Sequence, residues 1–188
     1  MRPNSPNNPR AAVTALTAAL CMALPACARS NTPAAPGFAL SSAELTPGGR
    51  FDLRQVNDMG GCRGRNMSPA LAWSHPPAGT RGFALLMFDP DAPGGGWWHW
   101  VVFDIPAGTR SLPAGAGDPA ARRMPPGTLQ GRNDFGFLGY GGPCPPPGAP
   151  HHYHLMLYAL RVAKLGLGMG ASPGEVASKI RAAAIAKA

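Results

Sequence analysis

Five side chains able to move protons or exchange hydrogen bonds fall where this chain changes direction. Asp89 and Asp91 stand in Asp89-Pro90-Asp91-Ala92-Pro93, directly after a strongly apolar run. His99 opens a second such run, and His151 and Tyr153 open a third. The prolines restrict the corner's backbone, so its carboxylates are held rather than free to swing. His151 and Tyr153 are two residues apart, and strand alternation therefore sets both on one face, with His152 and His154 on the other. A carboxylate, two imidazoles and a phenol supply donors and acceptors together. Two Gly/Pro-rich loops, at residues 113–126 and 139–148, allow backbone N–H groups to approach an anion closely. The expected chemistry is recognition of a small anionic group. Asp91 has a second expected role, accepting N–H bonds of the proline corner.

The elements that must position these residues are short strands. Gly (25) and Pro (23) are too numerous for a helical bundle, and they punctuate the chain with turns. Residues 38–45 and 50–56 read as strands, as does the run 70–73. Residues 82–88 are apolar on both sides, as in the centre of a sheet. This run is closed by Asp89-Pro90, because proline cannot continue a ladder. Residues 98–105 form the next strand, ended by Pro106, and 151–160 the third of the clear ones. Ser172-Pro173-Gly174-Glu175 is a helix start, with a capping serine, proline at the first turn and a glutamate three residues on. Val176, Ile180 and Ala184 share a face of that helix.

Several of these segments, in order, resemble the phosphatidylethanolamine-binding (Raf-kinase-inhibitor-like) family in its bacterial branch. Asp89-Pro90-Asp91-Ala92-Pro93 with His99-Trp100 is similar to its D-P-D-x-P segment and partner histidine. Gly142-Pro143-Cys144-Pro145-Pro146 with His151-His152-Tyr153 is similar to its G-P-x-P-P loop and H-x-Y strand. Ser68-Pro69 with Leu71 and Trp73 resembles S-P-x-L-x-W, and residues 131–136 resemble the bacterial members. The resemblance implies a mainly β fold of two antiparallel sheets, a β-sandwich with peripheral helices and a C-terminal helix. It implies a small cavity for phosphate or a phosphoethanolamine-type head group, lined by Asp89, Asp91, His99, His151 and Tyr153, with Gly142 and Pro143 at the rim. The loop before His99, Gly94-Gly95-Gly96-Trp97-Trp98, is short as in bacterial relatives, so the kinase-regulating surface of animal members is not implied.

Other chemistries fit less well. Asp89, His99 and His151 offer metal-ligand types, but no H-E-x-x-H or paired C-x-x-C accompanies them, and neither metal nor cofactor is expected. Gly170-Ala171-Ser172-Pro173-Gly174 matches a nucleophile elbow in letters alone, since no Asp or His follows it. Residues 166–171 mimic a dinucleotide fingerprint with no βαβ unit to follow. Ser68 near the histidines is the remaining nucleophile candidate. A non-catalytic binding protein is thus expected first, a surface-acting inhibitor or regulator of a protease or other protein second, and a hydrolase third.

Residues 1–28 read as a signal peptide, 29–37 as a tether and 38–188 as one domain. The apolar run 11–26 is too short and small-residued to span a bilayer. Ala26-Cys27-Ala28 suits ordinary cleavage, whereas Leu24-Pro25-Ala26-Cys27 resembles a lipoprotein box that would leave Cys27 lipidated. The expected location is the periplasm, or the outer membrane through a lipid anchor, with no other membrane contact. Losing Arg2 and Arg10 with the leader lowers the formal charge from +8 to +6. The arginines are scattered, so nucleic acid is not an expected partner. In an oxidising compartment Cys62 and Cys144 can pair, or stand as two thiols beside the pocket.

Overall fold

The computed structural model describes residues 37–188; the leader, Cys27 and all but the last residue of the tether lie outside them. Eight strands and one α-helix occur among the described residues: β1 (Ala39–Ser41), β2 (Leu71–Ser74), β3 (Gly82–Asp89), β4 (Trp97–Pro106), β5 (Ser111–Leu112), β6 (Leu129–Gln130), β7 (His154–Leu160), α1 (Pro173–Ala183) and β8 (Ala184–Lys187). They form two antiparallel sheets, one of order β1-β2-β5 and one of order β6-β4-β3-β7-β8.

Why β3 is apolar on both sides follows from this layering. Phe83, Leu85 and Met87 point with Trp100, Val102 and Leu157 toward Leu71 and Trp73 of the small sheet. Ala84 and Leu86 point the other way, with Val101 and Phe103, onto Val176 and Ile180 of α1. The central strand is therefore buried on both faces, between the small sheet and the helix. Helix α1 starts as expected: Ser172 Oγ accepts from Glu175 N at 3.3 Å, and the Glu175 carboxylate accepts from Ser172 N at 2.9 Å. That reciprocal cap should contribute about 1 kcal/mol. A Ser172→Ala variant is expected to lose about that much in denaturant titration.

Three expectations need correction. Residues 50–56 are turn rather than strand. Asp52 is the cause: its carboxylate accepts from Arg54 N at 2.6 Å, and its carbonyl from Gln55 N and Val56 N at 3.1 Å, so local acceptors displace a ladder. Ala184 does not share the helix face; it is where the helix stops and β8 begins, returning the chain to pair with β7. The third strand starts at His154, not His151. Phe88↔His154 is the last β3–β7 pair, since Pro90 has no N–H to offer beyond it. His151, His152 and Tyr153 continue as extended chain held by side chains instead.

Candidate functional site

Where β3 ends, Asp89 turns its carboxylate inward and is almost wholly buried. Its Oδ1 accepts from Asp91 N at 2.9 Å, and its Oδ2 from His151 Nδ1 at 2.7 Å. The corner N–H bond expected of Asp91 is therefore made by Asp89. Asp91 itself is exposed and faces His152, whose backbone N (2.6 Å) and Nδ1 (2.7 Å) both reach its Oδ2. These hydrogen bonds hold the Asp91 carboxyl below the ordinary carboxylate range. Asp91 thus pins the extended run 151–153 in place of the missing ladder, and its own bonds go to His152 rather than to His99 or His151.

His99, also buried, lies beside Asp89. Its Nδ1 is 2.6 Å from the Gly141 carbonyl and its Nε2 is 4.0 Å from Asp89 Oδ2. A carbonyl only accepts, so Nδ1 carries the hydrogen and, in the neutral ring, Nε2 is a bare lone pair. The 4.0 Å gap is too long for a hydrogen bond. Burial pushes the His99 pKa down, against the opposing pull of the Gly141 carbonyl and of Asp89 and Asp134. Its ring packs edge-on against Tyr153 (5.1 Å) and Phe135 (5.3 Å). The Tyr153 hydroxyl is buried and has no partner among the described residues. Burial and then the charges of Asp89 and Asp91 push its pKa up, so it stays a hydroxyl and a donor. Tyr153 also leans on Phe51, ring centroids 5.5 Å apart.

Asp89, His99, His151 and Tyr153 are thus brought together. Of the four, Asp89 and His99 are closed off, and the His151 side chain keeps 11% of its surface exposed, which marks the approach from solvent. The Gly142 backbone reaches the His99 ring beside Gly141, and Gly142 and Pro143 hold the loop. Asn57 N donates to the Pro143 carbonyl at 3.1 Å and Asn57 Nδ2 to that of Gly142 at 3.3 Å. Gly142 N donates to Asn66 Oδ1 at 2.7 Å, and Tyr140 Oη to the Gln55 carbonyl at 3.0 Å. A disulfide between Cys62 and Cys144, with Cα atoms 6.0 Å apart, closes the same junction.

Gly141, whose carbonyl fixes the His99 tautomer, and Phe135, which walls its ring, were not among the expected site residues. Nothing local distinguishes Gly141 from its glycine neighbours. Ser68 is spoken for: it is buried, and its Oγ accepts from Gly117 N at 2.8 Å. Trp100 is core and donates to Gln130, while Trp97 and Trp98 are half-buried, Trp97 meeting Phe135 edge-on and Trp98 lying tilted against Phe88. A cleft of about 500 Å³ lies elsewhere, bordered by Arg65, Arg123, Phe137 and Tyr140, and none of the four clustered residues lines it.

Residues 41–188 match the family model described as phosphatidylethanolamine-binding protein. The chain is 44% identical over 156 residues to the Escherichia coli protein YbcL, covering 82% of this chain and 85% of that one. To Escherichia coli YbhB it is 43% identical over 150 residues, covering 79% and 94%. The crystal structure of YbcL, titled a new member of the mammalian PEBP family, superposes with a TM-score of 0.79 at 42% identity, over 81% of this chain and 94% of that chain. A Mycobacterium tuberculosis protein named "Putative lipoprotein LppC" is 41% identical over 128 residues, covering 68% of this chain and 59% of that one.

Proposed function

The chain belongs to the phosphatidylethanolamine-binding protein family, and on that premise we propose that it is a non-catalytic binding protein for an anionic head group of the phosphate or phosphoethanolamine type. The observation that carries this reading is the convergence of Asp89, His99, His151 and Tyr153, with the His99 Nε2 and the Tyr153 hydroxyl left free inside the fold. Buried polar atoms are ordinarily satisfied, and a cluster left open at one place is where a ligand fits. The Oγ of Ser68, the serine candidate, accepts from Gly117 N, which supports a structural role for it. Export follows from the apolar leader, and the lipoprotein-type name of one relative supports the lipid-anchored alternative at Cys27.

The arrangement makes binding depend on protons. Burial holds His99 below the usual imidazole value of about 6.5, so the free protein keeps it neutral at pH 7 and Nε2 cannot donate. An anion accepting from Nε2 must therefore bind together with a proton. Affinity is lowest above pH 7 and rises as pH falls through 6.5 toward the lowered value, by up to about tenfold per unit for one proton taken up. Calorimetric titration with phosphoethanolamine at pH 7.5 and 5.5 is expected to show that rise. Equal affinities at the two values would remove His99 from the site's chemistry.

A further inference from the structure

The Gly/Pro-rich loop 113–126 takes no part in the cluster around Asp89, yet it borders the cleft of about 500 Å³ elsewhere on the molecule. A smaller chamber of about 130 Å³ adjoins that cleft, the two sharing Asp118, Pro119, Arg123 and Leu138. Gln130 lines the small chamber and is only 7% exposed. Its Oε1 accepts from Trp100 Nε1 at 2.8 Å, which fixes the orientation of the amide. Its Nε2 has no partner among the described residues, so a buried donor is left unspent in the chamber. Thr128 Oγ1, lining the same chamber, is buried and equally without a partner. Arg122 borders the chamber and Arg123 stands where it meets the cleft. Neither arginine is in an ion pair among the described residues. Arg123 spends one N–H, from Nη1, on the Ala114 carbonyl at 3.1 Å. Apolar lining comes from Met67, Phe137 and Leu138 in the cleft, and from Met124 and Met169 in the chamber. Met169 keeps 67% of its surface exposed.

Buried amide and hydroxyl groups are ordinarily paired. Two that are not, set beside two unpaired guanidinium groups, call for an acceptor carrying negative charge. The carboxylates of the cleft do not fill that role. Asp58 borders only the larger part, and Asp118 Oδ1 accepts from Ala120 N at 2.9 Å. Arg122 and Arg123 against Asp118 leave the chamber one net positive charge, which suits a monoanion better than a phosphate dianion. Backbone N–H groups around the cleft are spent within the fold, those of Arg65, Met67, Gly115 and Tyr140 on carbonyls and that of Gly117 on Ser68 Oγ. The cleft therefore offers no ladder to an added strand, and side chains must do the reading. We propose that it is a second binding site, for a carboxylate joined to an apolar body. The carboxylate enters the small chamber against Gln130, Thr128, Arg122 and Arg123, and the apolar body lies along Met67, Phe137 and Leu138. A peptide's carboxyl-terminal end and a medium-chain fatty acid share that chemistry. This site has no residue in common with the head-group site and does not depend on it.

The test is calorimetric titration of the protein, disulfide intact, at pH 7.5 with N-acetyl-leucyl-leucine, with its C-terminal amide, and with octanoate. The acid is expected to bind at least about tenfold more tightly than the amide, the difference charge-assisted hydrogen bonds make. Arg122→Gln combined with Arg123→Gln, both at exposed positions, is expected to bring the acid down to the level of the amide. Thr128→Val is expected to weaken the acid by about tenfold while melting no lower than the unaltered protein, because the hydroxyl it removes has no partner in the fold. A purely structural Thr128 would give the reverse, a lower melting temperature with unchanged affinity. Should that variant fail to fold, acid against amide in the unaltered protein decides. Chemical-shift mapping by NMR locates the ligand, with shifts expected at Thr128 and the Gln130 side-chain amide rather than at His99 and His151. Tighter binding of the dipeptide than of octanoate assigns a peptide end, the reverse a fatty acid, and equal binding a site that reads the carboxylate alone. If acid and amide bind alike, if the shifts gather at His99 and His151, or if none of the three binds, the second site is overturned while the head-group reading stands.

Discussion

A Gly142→Ala variant is expected to lose about 3 kcal/mol of stability, and with it the preset orientation of His99. A Cβ at position 142 would stand 2.1 Å from the Gln55 carbonyl oxygen and 2.6 Å from Asn57 N. Both obstacles are backbone, so no side-chain rotation relieves them and the strands of chain must separate, at the upper end of what overpacking costs. The loop that would lift away is the one whose previous residue takes the His99 Nδ1 hydrogen. Thermal melting should therefore show a fall of about 6–12 °C for a domain of this size. The His99 ring nitrogens, followed by NMR, should depart from a single Nδ1–H tautomer. Gly168→Ala is the control, since a Cβ there meets nothing within 4 Å. A variant at 142 that melts with the control would mean that the loop junction yields easily, and that His99 is not held by it.

Removing the disulfide is expected to cost still more. Cys62 and Cys144 are 82 residues apart in sequence, and closing a loop of that length withdraws about 4–5 kcal/mol of chain entropy from the unfolded state. The bond lies between the turn-rich segment that carries Gln55, Asn57 and Asn66 and the loop that carries Gly141. The paired Cys62→Ala and Cys144→Ala substitutions should lower the melting temperature by roughly 8–20 °C, and a reducing agent should do the same to the unaltered protein. Hydrogen bonds from Asn57, Asn66 and Tyr140 cross the same junction. A loss below about 1 kcal/mol would show that these bonds already hold the two segments together in the unfolded ensemble's compact members.

Legibility in the sequence tracked the reach of the interactions involved. The corner at Asp89-Pro90 is written in adjacent residues, because a proline that cannot donate ends a strand wherever it stands. The burial of β3 on both faces is written in eight consecutive apolar or closing positions. The Ser172–Glu175 cap spans three residues and formed as its spacing required. Motif resemblance added that Asp89, His99, His151 and Tyr153 belong together, which periodicity could not supply.

What lay outside local chemistry was decided only when distant segments met. Asp89 and Asp91 look equivalent in the chain, yet one is buried against His151, 62 residues on, and the other is exposed and tied to His152. That division arises because β3 ends with Asp89 facing the interior, so the next residue but one emerges on the solvent side of the corner. The tautomer of His99 depends on a carbonyl 42 residues away, and the next residue of that loop, Gly142, is held by the side-chain amide of Asn57, 85 residues from it. Composition and pattern therefore determined which elements exist and which residue types the site would contain. Register, strand ends and the direction of each proton came from the folded arrangement, because hydrogen-bond partners so far apart along the chain leave no local trace of their pairing.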